Sequence, residues 1–396
     1  MGQMKTKTLD RSYSVMTLVL FWCGLVVLSS MYITIPLISA FSTIFQVSLQ
    51  QAAWVGSIFS LFYALGCLMF GALSDKYGRK VFLIIGMCSI TIVTVFIGFV
   101  ENFYLLLIFR AIQGAVASVY APISLVYVGE VYPVHKRLTT IGFITSGFLM
   151  AAIFGQVMSS AIHEYLGWEF VFFILASLYF LSCILVIWVL PKDERKMSDE
   201  TVWNNFRRMA ILLKNKQLVL TLMITFITLF SLVAMYTILG SYLSSSVYGF
   251  SSHEILSIRA IGIVGICLAP FAGRLSAKYG ITFILRTGLV LATVGVTMLG
   301  AVSSMFNIVL MSIIFVAGIA LVCPVTISMV SVLGEKVRGT AVTFNAFILF
   351  IGASVGPILA VFLIEKVSFK LSFIVLGTIL FIGLLVSFFI KVNEKT

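Results

Sequence analysis

The sequence predicts an all-α integral membrane protein, with twelve transmembrane helices in two pseudo-symmetric six-helix bundles. Three observations carry this expectation. Of 396 residues, 61% are apolar and only 10% charged, with a mean hydropathy of +1.15, which lies far outside the range of soluble domains. Apolar stretches close to the roughly 20 residues that a bilayer core requires recur twelve times along the chain. The charged turn Gly71 Ala72 Leu73 Ser74 Asp75 Lys76 Tyr77 Gly78 returns 202 positions later as Gly273 Arg274 Leu275 Ser276 Ala277 Lys278 Tyr279 Gly280, identical at six of eight positions. A repeat at about half the chain length is how transporters built from two related halves read in sequence.

In chain order the stretches are 15–40, 49–71, 81–100, 104–126, 139–161, 169–190, 218–243, 254–273, 281–301, 306–328, 339–361 and 369–391. The first has no small-residue cleavage site behind it and eleven more follow, so it reads as a span and not a removable signal. Between the sixth and seventh lies the longest polar segment, a cytoplasmic linker over 192–217 with Trp203 and Phe206 at helical spacing, suited to lying on a membrane surface. It separates an N-terminal six-helix bundle, 1–191, from a C-terminal one, 218–396. Two further echoes, Gly129 Glu130 with Gly334 Glu335 and Gly147 with Gly352, share an offset of 205. The other loops are short, which leaves no room for a soluble catalytic domain.

Charge sets the expected orientation. With both termini cytoplasmic, 22 of the 26 Lys and Arg fall on the inner side, only Lys366 and Lys370 lie outside, and Arg110 and Arg259 remain within spans. That asymmetry follows the positive-inside rule. The net charge of +12 is thus a topology signal with attraction to anionic headgroups as a by-product, and it implies no nucleic-acid partner. The six cysteines, Cys23, Cys67, Cys88, Cys183, Cys267 and Cys323, all fall within spans and read as small apolar fillers. His163 Glu164 and His253 Glu254 each lack the second histidine of a zinc-protease helix, so no metal site and no intramembrane enzyme is expected.

The Gly71 to Lys80 loop resembles the loop between spans two and three of the major facilitator superfamily, matching it at Gly71, Gly78, Asp75 and the basic pair Arg79 Lys80. By that resemblance Asp75 would bind the start of span eleven near Gly339 and Thr340, and Arg79 would pair with Glu130, together latching one side shut. In span four, Arg110 Ala111 Ile112 Gln113 Gly114 resembles a second hallmark of the superfamily. Arg110, Gln113, Ala117, Tyr120 and Ser124 share one helical face by spacing, expected to line a cavity, with a snorkelling arginine as the alternative. Span five, Gly147 to Gln156, resembles the glycine- and proline-rich motif of the superfamily's antiporters, with Ala152 and Gln156 where the pattern has proline and glycine. Its counterpart in span eleven, Gly352 Ala353 Ser354 Val355 Gly356 Pro357, is a small-xxx-small ridge that favours close packing, with a proline where the helix is expected to bend. Gly167 Trp168 Glu169 also looks like the superfamily, with Trp168 expected as an interface anchor.

All fourteen acids lie at span ends or in loops, so no carboxylate is available near a midplane to offset an organic cation. The polar candidates for substrate or coupling are instead Tyr32, Thr34, Arg110, Gln113, Tyr120, Gln156, Tyr236 and Asn345. Such a set suits neutral, amphiphilic or anionic molecules. The stretch Met31 to Pro36 looks like the start of bacterial drug exporters, and the chain is most similar to the twelve-span drug:proton antiporters. The resemblance implies a multidrug-type efflux protein of the bacterial inner membrane, driven by protons, acting as a monomer and needing no cofactor. A sugar or metabolite importer or facilitator of the same fold is the alternative.

Overall fold

A computed structural model describes residues 2–192 and 211–391, apart from the side chains of 2–12, 49, 50, 71, 72, 75, 76, 252, 253, 336 and 357. Residues 193–210 of the linker, with Trp203 and Phe206, therefore lie outside the described residues, as do the side chains of Asp75 and Pro357. Every regular element described is helical. We number the spanning helices α1 (Gly2–Ser29), α2 (Leu49–Tyr77), α3 (Arg79–Ile97), α4 (Phe103–Ala117 and Tyr120–Val131), α5 (Val134–Leu166) and α6 (Trp168–Val189). The second set is α7 (Lys216–Ser244), α8 (Ser252–Ile261, Ile263–Ile266 and Ala272–Tyr279), α9 (Ile281–Leu299), α10 (Met305–Leu333), α11 (Arg338–Lys366) and α12 (Phe369–Ser387). Among the described residues eleven helices are long and apolar enough to cross a membrane, and α1 adds the shorter apolar run Tyr13–Ser29. One compact unit holds α1–α6 and another α7–α12.

The two units repeat one packing plan. In the first, α1 packs on α5, α2 on α4 and α3 on α6; in the second, α7 packs on α11, α8 on α10 and α9 on α12. Lipid tails are as apolar as leucine, so helices associate in a bilayer by close van der Waals fit. Gly147 supplies it on α5, where an added Cβ would stand 2.8 Å from the Phe21 carbonyl oxygen of α1; Gly352 does so on α11, 2.5 Å from that of Phe226 on α7. The second helix of each unit also starts alike. Ser48 and Gln51 cap α2 reciprocally, as Ser251 and Glu254 cap α8, satisfying backbone donors that a helix start leaves free.

Several helices depart from the sequence expectation for local reasons. Gly71 to Tyr77 is helical, and only Gly78 turns the chain, at φ 93°; its echo Gly280 has φ 90°. These positive values favour glycine. α4 breaks at Ser118–Val119, where Pro122 has no N–H for the Ser118 carbonyl four residues back. Pro270 stands four residues after Ile266, where α8 breaks. α11 by contrast runs as one helix through position 357. Trp168 is not an interface anchor: it is 4% exposed, packed edge-on against Phe41 at 5.4 Å and Phe172 at 5.9 Å. Exposed rings at helix ends include Tyr104, Tyr165 and Trp188. The cysteines are not all isolated, since Cys88 of α3 and Cys183 of α6 bring their Sγ atoms to 3.3 Å.

Gly352→Leu should force α11 from α7 and lower stability by about 1–3 kcal/mol, the range for overpacking. Ile358→Leu, on a side chain that is 70% exposed, should change little. Thermal unfolding of the purified protein, followed by size exclusion, measures both. Equal melting of the two variants would contradict the packing described.

Candidate functional site

The polar centre of the first unit forms where α1 ends. Pro36 cannot continue the helix, and residues 30–37 run as turns, which frees backbone carbonyls inside the bundle. A freed carbonyl in lipid must find an internal donor. Arg110 donates from Nη2 to the Ser30 carbonyl at 3.0 Å, from Nε to the Val55 carbonyl of α2 at 3.2 Å and from Nη1 to Gln113 Oε1 at 2.5 Å. Ser159 of α5 donates to the Ile33 carbonyl at 2.6 Å. Gln113 passes the chain on, donating from Nε2 to Thr94 Oγ1 of α3 at 2.7 Å. The guanidinium lies 4.3 Å from the centroid of the Phe59 ring, a favourable place for a cation. One side chain thus ties α1, α2 and, through Gln113, α3 to α4.

Both Arg110 and Gln113 have no exposure. A charge in a span costs about 2.5–3.5 kcal/mol on insertion scales, and here carbonyls, an amide and an aromatic face offset it without a carboxylate. The expected cavity-lining face takes a different form. Ala117, Tyr120 and Ser124 are buried too, and the break at Ser118–Val119 interrupts the face. Tyr120 Oη donates to the Leu20 carbonyl at 2.6 Å. Thr34 is buried near Gly56, and Tyr32 is partly buried.

The remaining candidates do not join this centre. Gln156 donates to the Ala152 carbonyl of its own helix at 2.6 Å. Asn345 Oδ1 accepts from Thr225 Oγ1 at 2.8 Å, tying α11 to α7. The Tyr236 carbonyl accepts from Arg259 Nη2 at 2.7 Å. Sequence reasoning missed Thr94, Ser159 and the Ser30 and Val55 carbonyls; Pro36 was the only available signal for the freed carbonyls.

At the α2–α3 turn, Arg79 grips Glu130 at the end of α4, with Nη2 to Oε1 at 3.2 Å and Nε to Oε2 at 3.4 Å, while Nη1 donates to Ser74 Oγ at 2.5 Å. Gly78 aims this fork by letting α3 start immediately after the turn. Lys80 Nζ donates to the Ile187 carbonyl near the end of α6 at 2.8 Å. In the second unit Ile281 and Thr282 stand where the first has Arg79 and Lys80, so the corresponding Glu335 has no arginine at that register.

Helices of this length and apolarity in two like-packed units make this a multi-pass membrane protein. The profile of the Major Facilitator Superfamily matches residues 20–341 and, in a second match, 262–396; the chain belongs to this superfamily and is not an enzyme. Among its relatives is the multidrug resistance protein MdtG of Proteus mirabilis, 26% identical over 344 residues, 84% of this chain and 85% of that one. A transporter of Buchnera aphidicola from Baizongia pistaciae is 26% identical over 391 residues, 95% of this chain and 94% of its own. The fold is that of the solved proton:xylose symporter XylE, at a TM-score of 0.74, 18% identity and 96% coverage of both chains.

A bidentate pair with Arg79 almost enclosed and Glu130 about 29% exposed should couple by roughly 1–2 kcal/mol. Arg79→Met and Glu130→Met should each lower the melting temperature, and the double variant should melt no lower than the worse single one. Additive losses would show that the two side chains are only neighbours.

Proposed function

We propose that this protein exports small amphiphilic, neutral or anionic molecules across the bacterial inner membrane by alternating access, in exchange for protons. The observation that carries the reading is kinship over 84% of the chain with a protein named for multidrug resistance. The bias of basic residues supports cytoplasmic termini, and bacterial relatives support the inner membrane. The chain works as a monomer in this reading, with substrate, protons and lipid as its partners. Asp75, Gly71 and Gly78, with the Arg79–Glu130 pair, form a latch on the cytoplasmic side that governs exchange between states and adds little to substrate affinity.

Arg110 keeps its proton throughout the physiological range, so a carboxylate carries the coupling proton, with Asp75, Glu130 and the outer-loop acids as the available groups. Arg110 and Gln113 hold the bundle in the arrangement that coupling requires. The second reading, an importer or facilitator of sugars or metabolites, draws support from the departures at Ala152 and Gln156 in the antiporter-like stretch and from the symporter fold.

Reconstitution into liposomes with an imposed pH gradient tests the first reading. Substrate flux should rise with the gradient, vanish in Arg110→Ala and fall strongly in Arg110→Lys, whose compact ammonium lacks the fork. Asp75→Asn should slow flux while leaving ligand binding intact. Equal flux with and without the gradient would replace antiport by facilitated transport.

A further inference from the structure

Two arginines lie within spans, and their surroundings separate a structural cation from one with unused donors. Each nitrogen of Arg110 donates a hydrogen bond inside the first unit, and the side chain has no exposure. Among the described residues Arg259 of α8 makes one hydrogen bond, from Nη2 to the Tyr236 carbonyl of α7. Its Nε is buried with no acceptor, while the residue as a whole remains partly exposed. Among the described residues no carboxylate pairs with it. The nearest acid in sequence, Glu254, is held in the α8 cap, where Oε2 accepts from the Ser251 amide at 2.8 Å and from Ser251 Oγ at 2.7 Å.

Arg259 is held against the backbone of α7. The carbonyl it binds belongs to Tyr236, eight residues before the end of α7 at Ser244, which is roughly 12 Å along a helix axis. The guanidinium's seat is made by two missing side chains: a Cβ on Gly240 would strike Arg259 Nη2, and one on Gly262 would stand 2.6 Å from Tyr236 Oη. Val316 of α10 lies beside Gly262, so α7, α8 and α10 meet here. The Tyr236 ring is 5.7 Å from the guanidinium, and its hydroxyl has no hydrogen-bond partner among the described residues.

The two halves make the comparison internal. Arg110 sits where the first, second and fourth helices of its unit meet, and at the 205-residue offset its place in the second unit is taken by Phe315, next to Val316. The second unit thus brings its guanidinium to the same three-helix junction from its second helix and leaves it under-coordinated. A buried donor on a charged group without an acceptor is costly, and an anion supplies what is missing: two parallel acceptors for Nε and Nη, and one for the tyrosine hydroxyl.

We propose that Arg259 and Tyr236 form the anion-recognition site of the transported substrate, taking the carboxylate, sulfonate or phosphonate head of a small organic anion whose apolar body lies against α7, α8 and α10. This narrows the substrate class and rests on the reading that the chain carries small amphiphiles. Binding requires neither a gradient nor a direction, so it stands or falls separately from antiport.

The test uses two probes with one aromatic body, anilinonaphthalene sulfonate and the uncharged N-phenylnaphthylamine. They are titrated by fluorescence into the full chain in phosphatidylcholine nanodiscs, with empty discs subtracted. The sulfonate should bind saturably; Arg259→Gln should weaken it about tenfold, as for loss of a charge-assisted fork, and Arg259→Lys less. The uncharged probe should change less than about twofold. If Arg259→Gln does not yield folded protein, Tyr236→Phe keeps the ring and should weaken the sulfonate alone, by about threefold. The proposal is overturned if the wild-type protein shows no saturable sulfonate binding, if both probes lose affinity equally, or if neither variant affects the sulfonate.

Discussion

A bilayer supplies no hydrogen-bond partners, so each carbonyl or charge that leaves a helical ladder has to be met from within the protein. That constraint organises the first unit. Pro36 ends α1 early, the turns at 30–37 free carbonyls, and donors from α4 and α5 converge on them: Arg110 on Ser30, Ser159 on Ile33. The arginine is tolerated because the kink needs donors, and the kink is tolerated because the arginine is there. Each would be expensive alone.

The second constraint is close fit. With no hydrophobic drive between helices in lipid, glycines at Gly147 and Gly352 bring α5 and α11 onto the backbones of α1 and α7, and the two units share one packing plan. On that common frame the chemistry has diverged. Gly78 and Gly280 turn the chain identically, but only the first turn is followed by an arginine that reaches a carboxylate. The embedded guanidinium is saturated in one unit and under-coordinated in the other. Divergence of this kind fits a transporter whose halves take different tasks.

Much of the fold was legible in the sequence because hydropathy and the internal repeat report directly on spanning helices. Arg110 and Gln113 stood out in the sequence because polar and charged residues within spans are few, whereas the Arg79–Glu130 partnership was implied by the family resemblance and not by spacing. Four features were not legible. The helical state of Gly71 to Tyr77 was hidden because a charged run reads as a loop, although helices extend past the hydrocarbon. The breaks in α4 and α8 were written in Pro122 and Pro270, whose effect falls four residues upstream. Trp168 was misplaced because amphipathic character suggests an interface, whereas Phe41, Phe45 and Phe172 enclose its ring. Of the backbone carbonyls that bind Arg110, Pro36 was the only signal for that of Ser30, and nothing in the sequence marked that of Val55.

The central claim is that Arg110 holds the first unit together by answering carbonyls freed at the end of α1. Amide hydrogen exchange of the purified protein in nanodiscs, comparing wild type with Arg110→Met, addresses it most directly. The account predicts exchange faster by about tenfold or more in residues 30–37 and around Val55 to Phe59, with α7–α12 unchanged. Unaltered exchange in residues 30–37 would contradict it.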